Sequence, residues 1–191
     1  MRRLVYYVGM SMDGFIADPS DSTRTFPTDP GYIAALAELF PETFPAHLRP
    51  HLGITEGPRR FDTVLLGRRT HQKALDAGLT SAFPHLEQHV FTRRDDLPRD
   101  PSVVAHHADA GKVVADLKRR PGRDIWLCGG ADLAAQVSNE IDELLLRVSP
   151  FALGGGVPLV RSLCRPLHCH LQSTRWFDNG VVLLHYDRVD R

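Results

Sequence analysis

Two arginine pairs follow short apolar runs. Gly67-Arg68-Arg69-Thr70 comes directly after Thr63–Leu66, and Thr92-Arg93-Arg94 closes the run that begins at His89. Guanidinium groups offer planar, two-pronged donors to phosphate, a threonine hydroxyl adds another donor, and free backbone N–H groups at a helix start attract anions. Cys128-Gly129-Gly130-Ala131-Asp132-Leu133 is a third such turn, whose adjacent glycines would let a diphosphate come close to the backbone. It is not the dinucleotide fingerprint G-x-G-x-x-G, because residues 129–134 read G-G-A-D-L-A. Taken singly, each turn is equally a glycine bend leading into a solvated basic surface. Converging on one edge of a sheet, they would make a phosphate site.

Fewer residues could carry the remaining chemistry. Asp13, in Ser11-Met12-Asp13-Gly14, is a candidate proton source, or else a turn carboxylate that accepts backbone N–H groups. Gly154-Gly155-Gly156 is a substrate loop, a hinge or a plain flexible connection. His106 and His107 are neighbours on a strand and should face opposite ways. His168 and His170 share a strand face but have no further ligand nearby in sequence, so no metal site is expected.

The elements that must hold these residues alternate. Leu4–Val8, Thr63–Leu66, His89–Thr92, Val103–Ala105, Asp124–Cys128 and Glu143–Ser149 read as strands. Asp29-Pro30 starts a helix as cap and first residue, with Ile33, Leu36, Ala37 and Phe40 along one face and Pro41 as its stop. Thr70–Ala77 and Ala131–Ser138 are short helices, and Asp109 caps another through Val113, Val114 and Leu117. His168–Trp176 and Val181–Tyr186, joined through Asn179-Gly180, form a β-hairpin. The order predicts an α/β fold: a single three-layer domain over residues 1–191, with a mostly parallel central sheet and an antiparallel C-terminal hairpin. Ligands in such sheets bind beyond the carboxyl ends of the strands, which is where the three turns fall.

Composition narrows the function classes. The chain has 191 residues, 42% hydrophobic and 24% charged, and its 23 basic and 23 acidic residues balance. Zero net charge argues against nucleic acid as a partner, and the short apolar runs argue against a membrane. Three cysteines, Cys128, Cys164 and Cys169, give no disulfide framework and suit a reducing cytoplasm.

The motifs in order resemble the dihydrofolate-reductase-like superfamily, and within it the reductase domain of riboflavin biosynthesis. The residues that carry the resemblance are Ser11–Ala17, Leu66–Thr70, Thr92–Arg94, Leu127–Ala131, Ile141–Leu144, Pro150 with Leu153–Leu159, and the Asn179-Gly180 turn. The resemblance implies an NADPH-dependent reductase acting on a small pterin-like, pyrimidine-like or carbonyl substrate. It implies that Gly9 and Ile16 border the nicotinamide, that Gly67, Arg68, Arg69, Thr70, Thr92, Arg93 and Arg94 hold the adenosine 2′-phosphate and ribose, and that Cys128, Gly129, Gly130, Ala131, Asp132 and Leu133 cradle the diphosphate. Tyr32, Leu36 and Gly155 would face the substrate, and the protein would be a homodimer. The chain departs from the pattern in three places, one being the first helix, whose carboxylates Asp29 at the cap and Glu38 further along stand in a different context from the one beside the pterin in a folate reductase. Thr70 is followed by His71-Gln72 where a folate reductase carries Trp, and the zinc-ligand motif of the riboflavin-pathway deaminase is missing. A non-catalytic NADP(H)-binding module on the same fold is the alternative, and a phosphosugar enzyme using the same arginines a more remote one.

Overall fold

Leu4, Val5, Tyr6 and Tyr7 put four apolar or aromatic side chains in succession, as a strand covered on both faces requires. A computed structural model describes residues 1–189 and places this strand, β1 (Leu4–Ser11), inside an eight-stranded sheet. Along the chain follow β2 (Phe15–Ala17), α1 (Pro30–Leu39), β3 (Phe61–Gly67), α2 (Arg68–Asp76), β4 (Glu87–Phe91), β5 (Val103–His106), α3 (Ala110–Arg119), β6 (Asp124–Gly129), α4 (Ala131–Gln136), β7 (Ile141–Ser149), β8 (Val157–Pro158), β9 (Cys169–Trp176) and β10 (Val182–Arg188). The sheet order is β5-β4-β3-β6-β1-β7-β10-β9. Every pair from β5 to β7 is parallel, and β10 joins both β7 and β9 antiparallel. This is the expected α/β architecture; residues 190–191 of the expected 1–191 domain lie outside the described residues.

Helices cover both faces. Val114 and Leu117 of α3, with Leu133 and Ala134 of α4, pack against Leu4, Tyr6, Leu65 and Leu127 on one side. Each fully buried aliphatic side chain there stabilises the fold by roughly 1.5–3 kcal/mol. On the other side Tyr7, Phe40, Phe61 and Trp126 form an aromatic core, and α1 packs beside it. Asp29 caps α1 as expected, accepting from the Tyr32 N–H at 3.2 Å. Its other oxygen accepts from Asn179 Nδ2 at 2.7 Å, which ties the hairpin turn to the helix. The helix turns Tyr32 and Leu36 furthest inward, whereas Ile33 and Ala37 are only partly covered.

A two-stranded sheet of β2 and β8 was not foreseen, since three- and two-residue strands show no periodicity. Gly156 makes it possible: its φ is +144°, and a Cβ there would stand 2.2 Å from the Ala17 carbonyl oxygen. No helix among the described residues is long and apolar enough to cross a membrane.

Candidate active site

Three parallel strands end side by side, and each hands the chain to one of the three turns. β3 ends at Gly67 and passes into α2, β4 runs into Thr92–Arg94, and β6 ends at Gly129. Two of the turns touch: a Cβ on Gly67 would lie 3.5 Å from both Gly129 O and Gly130 N, and one on Gly130 would lie 3.6 Å from Thr70 Oγ1. Gly129 has φ +123°, a conformation that favours glycine.

The turns open onto one cleft of about 990 Å³. Gly67, Arg68, Arg69, Thr70, Thr92, Arg93, Arg94, Cys128, Gly130, Asp132 and Leu133 all line it, joined by Val8, Ile16 and Ala17. Of the expected cofactor residues, Gly9, Gly129 and Ala131 do not line the cleft; Ala131 is fully buried beneath it. A smaller hollow of about 360 Å³ over Leu97–Val103 has mainly apolar walls and no cluster of donors.

Charge is concentrated here. Arg68, Arg69, Lys73, Arg93, Arg94 and Arg161 line the cleft, against the carboxylates Asp21 and Asp132. Several are held loosely. Arg68 hydrogen-bonds Gln72 and reaches Asp96 at 3.5 Å, while its Nε is buried without a partner. Asp132 is shared between Arg161 at 2.7 Å and Arg69 at 3.3 Å. Arg93 is exposed and has no ion-pair partner among the described residues. Thr92 Oγ1 accepts from the Arg94 N–H at 3.0 Å, so this hydroxyl shapes its own loop.

Neutral groups form the rest of the wall. Burial pushes the Cys128 thiol up to about 12, so it is protonated and unreactive. The ring of His106 stacks between Phe91 at 5.2 Å and His89 at 5.0 Å, and His89 Nδ1 lies 2.7 Å from His106 Nε2. Burial holds His89 down at about 4 and lowers His106 as well. His106 and His107 do not face opposite ways as expected. β5 ends at His106, so strand alternation stops there and both residues line the cleft.

Three expected roles are corrected by the contacts. Asp13 is not poised to give a proton. Its Oδ1 accepts from Ser11 Oγ at 2.5 Å and the Leu153 N–H at 3.0 Å, and its Oδ2 from the Gly154 N–H at 2.7 Å. The Ser11 hydroxyl, then the backbone N–H groups, hold this carboxyl down at about 2. It is a clasp between the β1–β2 turn and the glycine loop. Leu36 is 2% exposed in a cluster with Tyr32, Phe44 and Val181, so it packs the helix and does not line this cleft. Gly155 does not line the cleft, and nothing comes within 4 Å of where its Cβ would be. Tyr32 is also buried, but its hydroxyl lies 3.4 Å from Arg147.

Sequence reasoning missed Lys73, Phe91, Arg161 and Arg147. The first three reach the site through folding alone. Arg147 left a signal in its place after three leucines, Leu144–Leu146, in a strand that is otherwise apolar over that stretch. The one described cluster with metal-ligand geometry, Glu143, His185 and Asp187, involves a carboxylate already engaged by Arg3 and Arg60.

The model of the RibD C-terminal domain matches residues 2–183. The chain belongs to that family. The protein YwjB of Bacillus subtilis (strain 168) is 32% identical over 192 residues, covering 98% of this chain and 99% of YwjB. A putative riboflavin biosynthesis protein from Shewanella sp. PV-4 superposes with a TM-score of 0.69 at 21% identity over the whole of both chains. Dihydrofolate reductase from Enterococcus faecalis, solved with NADP(H), gives a TM-score of 0.66 at 13% identity, covering 98% of this chain and 97% of that one. The expected dihydrofolate-reductase-like fold of this RibD C-terminal domain is therefore established.

Proposed function

We propose that this RibD C-terminal domain is an NADPH-dependent reductase of a small heterocycle, pterin-like or pyrimidine-like, or of a carbonyl compound. One observation carries the reading: three turns from separate strands, rich in arginine and glycine, meet at a single cleft where the Arg68 Nε is buried without a partner. A multiply charged dinucleotide satisfies that arrangement. Arg68, Arg69, Arg93 and Arg94 would hold the 2′-phosphate, and the bare backbone at Gly129-Gly130 would lie along the diphosphate. Val8, Ile16 and Ala17 would wall the nicotinamide. NADPH would supply the hydride, and the cleft residues would bind and orient it. Asp13, ionised well below neutrality, is not the acid that completes the reduction.

Three cysteines are too few and too scattered for a disulfide framework, in keeping with a reducing cytoplasm. The working form in this reading is a homodimer joined through the exposed outer strand β9, where Trp176 is 74% and Leu171 44% exposed. The test of function is NADPH oxidation by the pure protein with dihydrofolate, other pterins, ribosylaminopyrimidines and quinones as acceptors. Turnover of one of them is expected. NADPH binding with no turnover on any acceptor would favour a non-catalytic module instead.

A further inference from the structure

Arg147 sits on β7 opposite Gly9 of β1, one residue beyond the cleft-lining Val8 and therefore on the other face of the sheet. Its guanidinium carbon stands 4.9 Å from the centre of the Tyr7 ring. Its one oxygen partner among the described residues is the Tyr32 hydroxyl, at 3.4 Å, a long contact for a charged donor. The Nε is buried and bonds nothing. Among the described residues no carboxylate lies within 4.0 Å of this guanidinium.

Three other covered cations of this protein are treated differently. Lys118 meets Asp142 at 2.8 Å, Arg2 meets Asp62, and Arg60 meets Glu143. A sheltered charge without a counter-charge costs stability, so Arg147, like Arg68 in the cleft, is placed to take an external partner. Arg147 and Gly9 are both only partly covered, so this corner is open to solvent. Gly9 contributes only backbone, and its missing Cβ would stand 3.4 Å from Arg147 Nη2 and 3.6 Å from Phe26. Phe26 arrives from the irregular segment before α1 and leans on Phe151 at 5.2 Å. The pocket thus has a cationic floor, a glycine wall and an aromatic cover. Val8, next to Gly9 along β1, lines the cofactor cleft.

We propose that Arg147 is the counter-charge for the hydride acceptor, and that this pocket selects a planar molecule carrying a carboxylate or a similarly anionic oxygen. The guanidinium and the Tyr32 hydroxyl hold that oxygen, and the Phe26 ring covers the planar face. Only the word acceptor rests on the reductase reading; the preference for an anion is measurable without NADPH.

Benzoate and benzamide are matched probes, alike in shape and different in charge. Calorimetric titration of the full chain should show benzoate binding at least about tenfold more tightly than benzamide, as one charge-assisted contact provides. R147M should bind the two equally, and R147K should restore part of the difference. The melting temperature of R147M should match or exceed that of the parent, since no internal ion pair is lost, and its affinity for NADPH should be unchanged. Equal binding of both probes by the parent, a carboxylate preference that survives in R147M, a melting temperature lowered by several degrees, or loss of NADPH binding in R147M would each overturn the assignment. If the parent prefers benzoate but does not bind NADPH, the anion pocket stands and the reductase reading falls.

Discussion

Arg68 and Arg93 come from separate strand ends, and their side chains line the same cleft with no carboxylate closer than 3.5 Å among the described residues. A charged hydrogen bond is worth roughly 1.5–3 kcal/mol, so replacing both by alanine should weaken NADPH by about a hundredfold or more. NADH, which lacks the 2′-phosphate, should lose far less. Fluorescence titration of the double variant with each nucleotide measures the difference, and an equal loss for both would remove the 2′-phosphate from these residues. Asp13 gives a second prediction. Its folded carboxyl titrates at about 2, below the usual value near 3.9. A group depressed in this way contributes stability above its unfolded pKa and loses it as the pH falls through the folded one. A carbon-13 NMR titration should therefore find Asp13 ionised down to about pH 2, and D13N should leave any rate inflection near neutrality in place. A midpoint near neutrality would return Asp13 to the list of proton donors.

At the scale of elements, the strand ends were legible because each carries its own punctuation. Gly67 and Gly129 follow apolar runs directly, and Asn179-Gly180 marks the hairpin, with Gly180 at φ +83°. The caps Asp29 and Asp109 were legible for the same local reason. What depends on distant partners was not. The β2–β8 pair exists because Ala17 meets Val157 across 140 residues of chain. The Asp13 clasp needs Leu153 and Gly154 to arrive from the far side of the sequence. Leu36 was assigned to the cleft by resemblance, but the helix turns it into its own small core. The double duty of Asp29 leads to a prediction here. D29A removes the α1 cap and the Asn179 contact together, and a cap alone is worth about 1 kcal/mol. The melting temperature should fall by at least about 2–4 °C in a thermal unfolding scan. No change would show that the hairpin and α1 are held by packing alone.

Over the whole molecule, zero net charge conceals an uneven distribution. Six cations face two carboxylates around the cleft, so the rest of the surface carries the excess acid. Binding of a polyanion there should weaken as salt rises, and more for NADPH than for NADH, because the extra phosphate adds charge within a Debye length of the arginines. Titrations at low and high sodium chloride check this. The outer strand β9 is exposed along most of its length, which natural sheets seldom leave uncovered. Light scattering should return twice the 21.3 kDa chain mass, and a monomer at micromolar concentration would remove the homodimer from the account.

The central claim is that three turns form one receptor for the phosphates of a single dinucleotide. Titrating the unmodified protein with NADPH and with NADH, following nucleotide fluorescence, tests it most directly. The account predicts saturation at one NADPH per chain, with NADH at least about tenfold weaker. No saturable binding, or equal affinity for the two nucleotides, would contradict it.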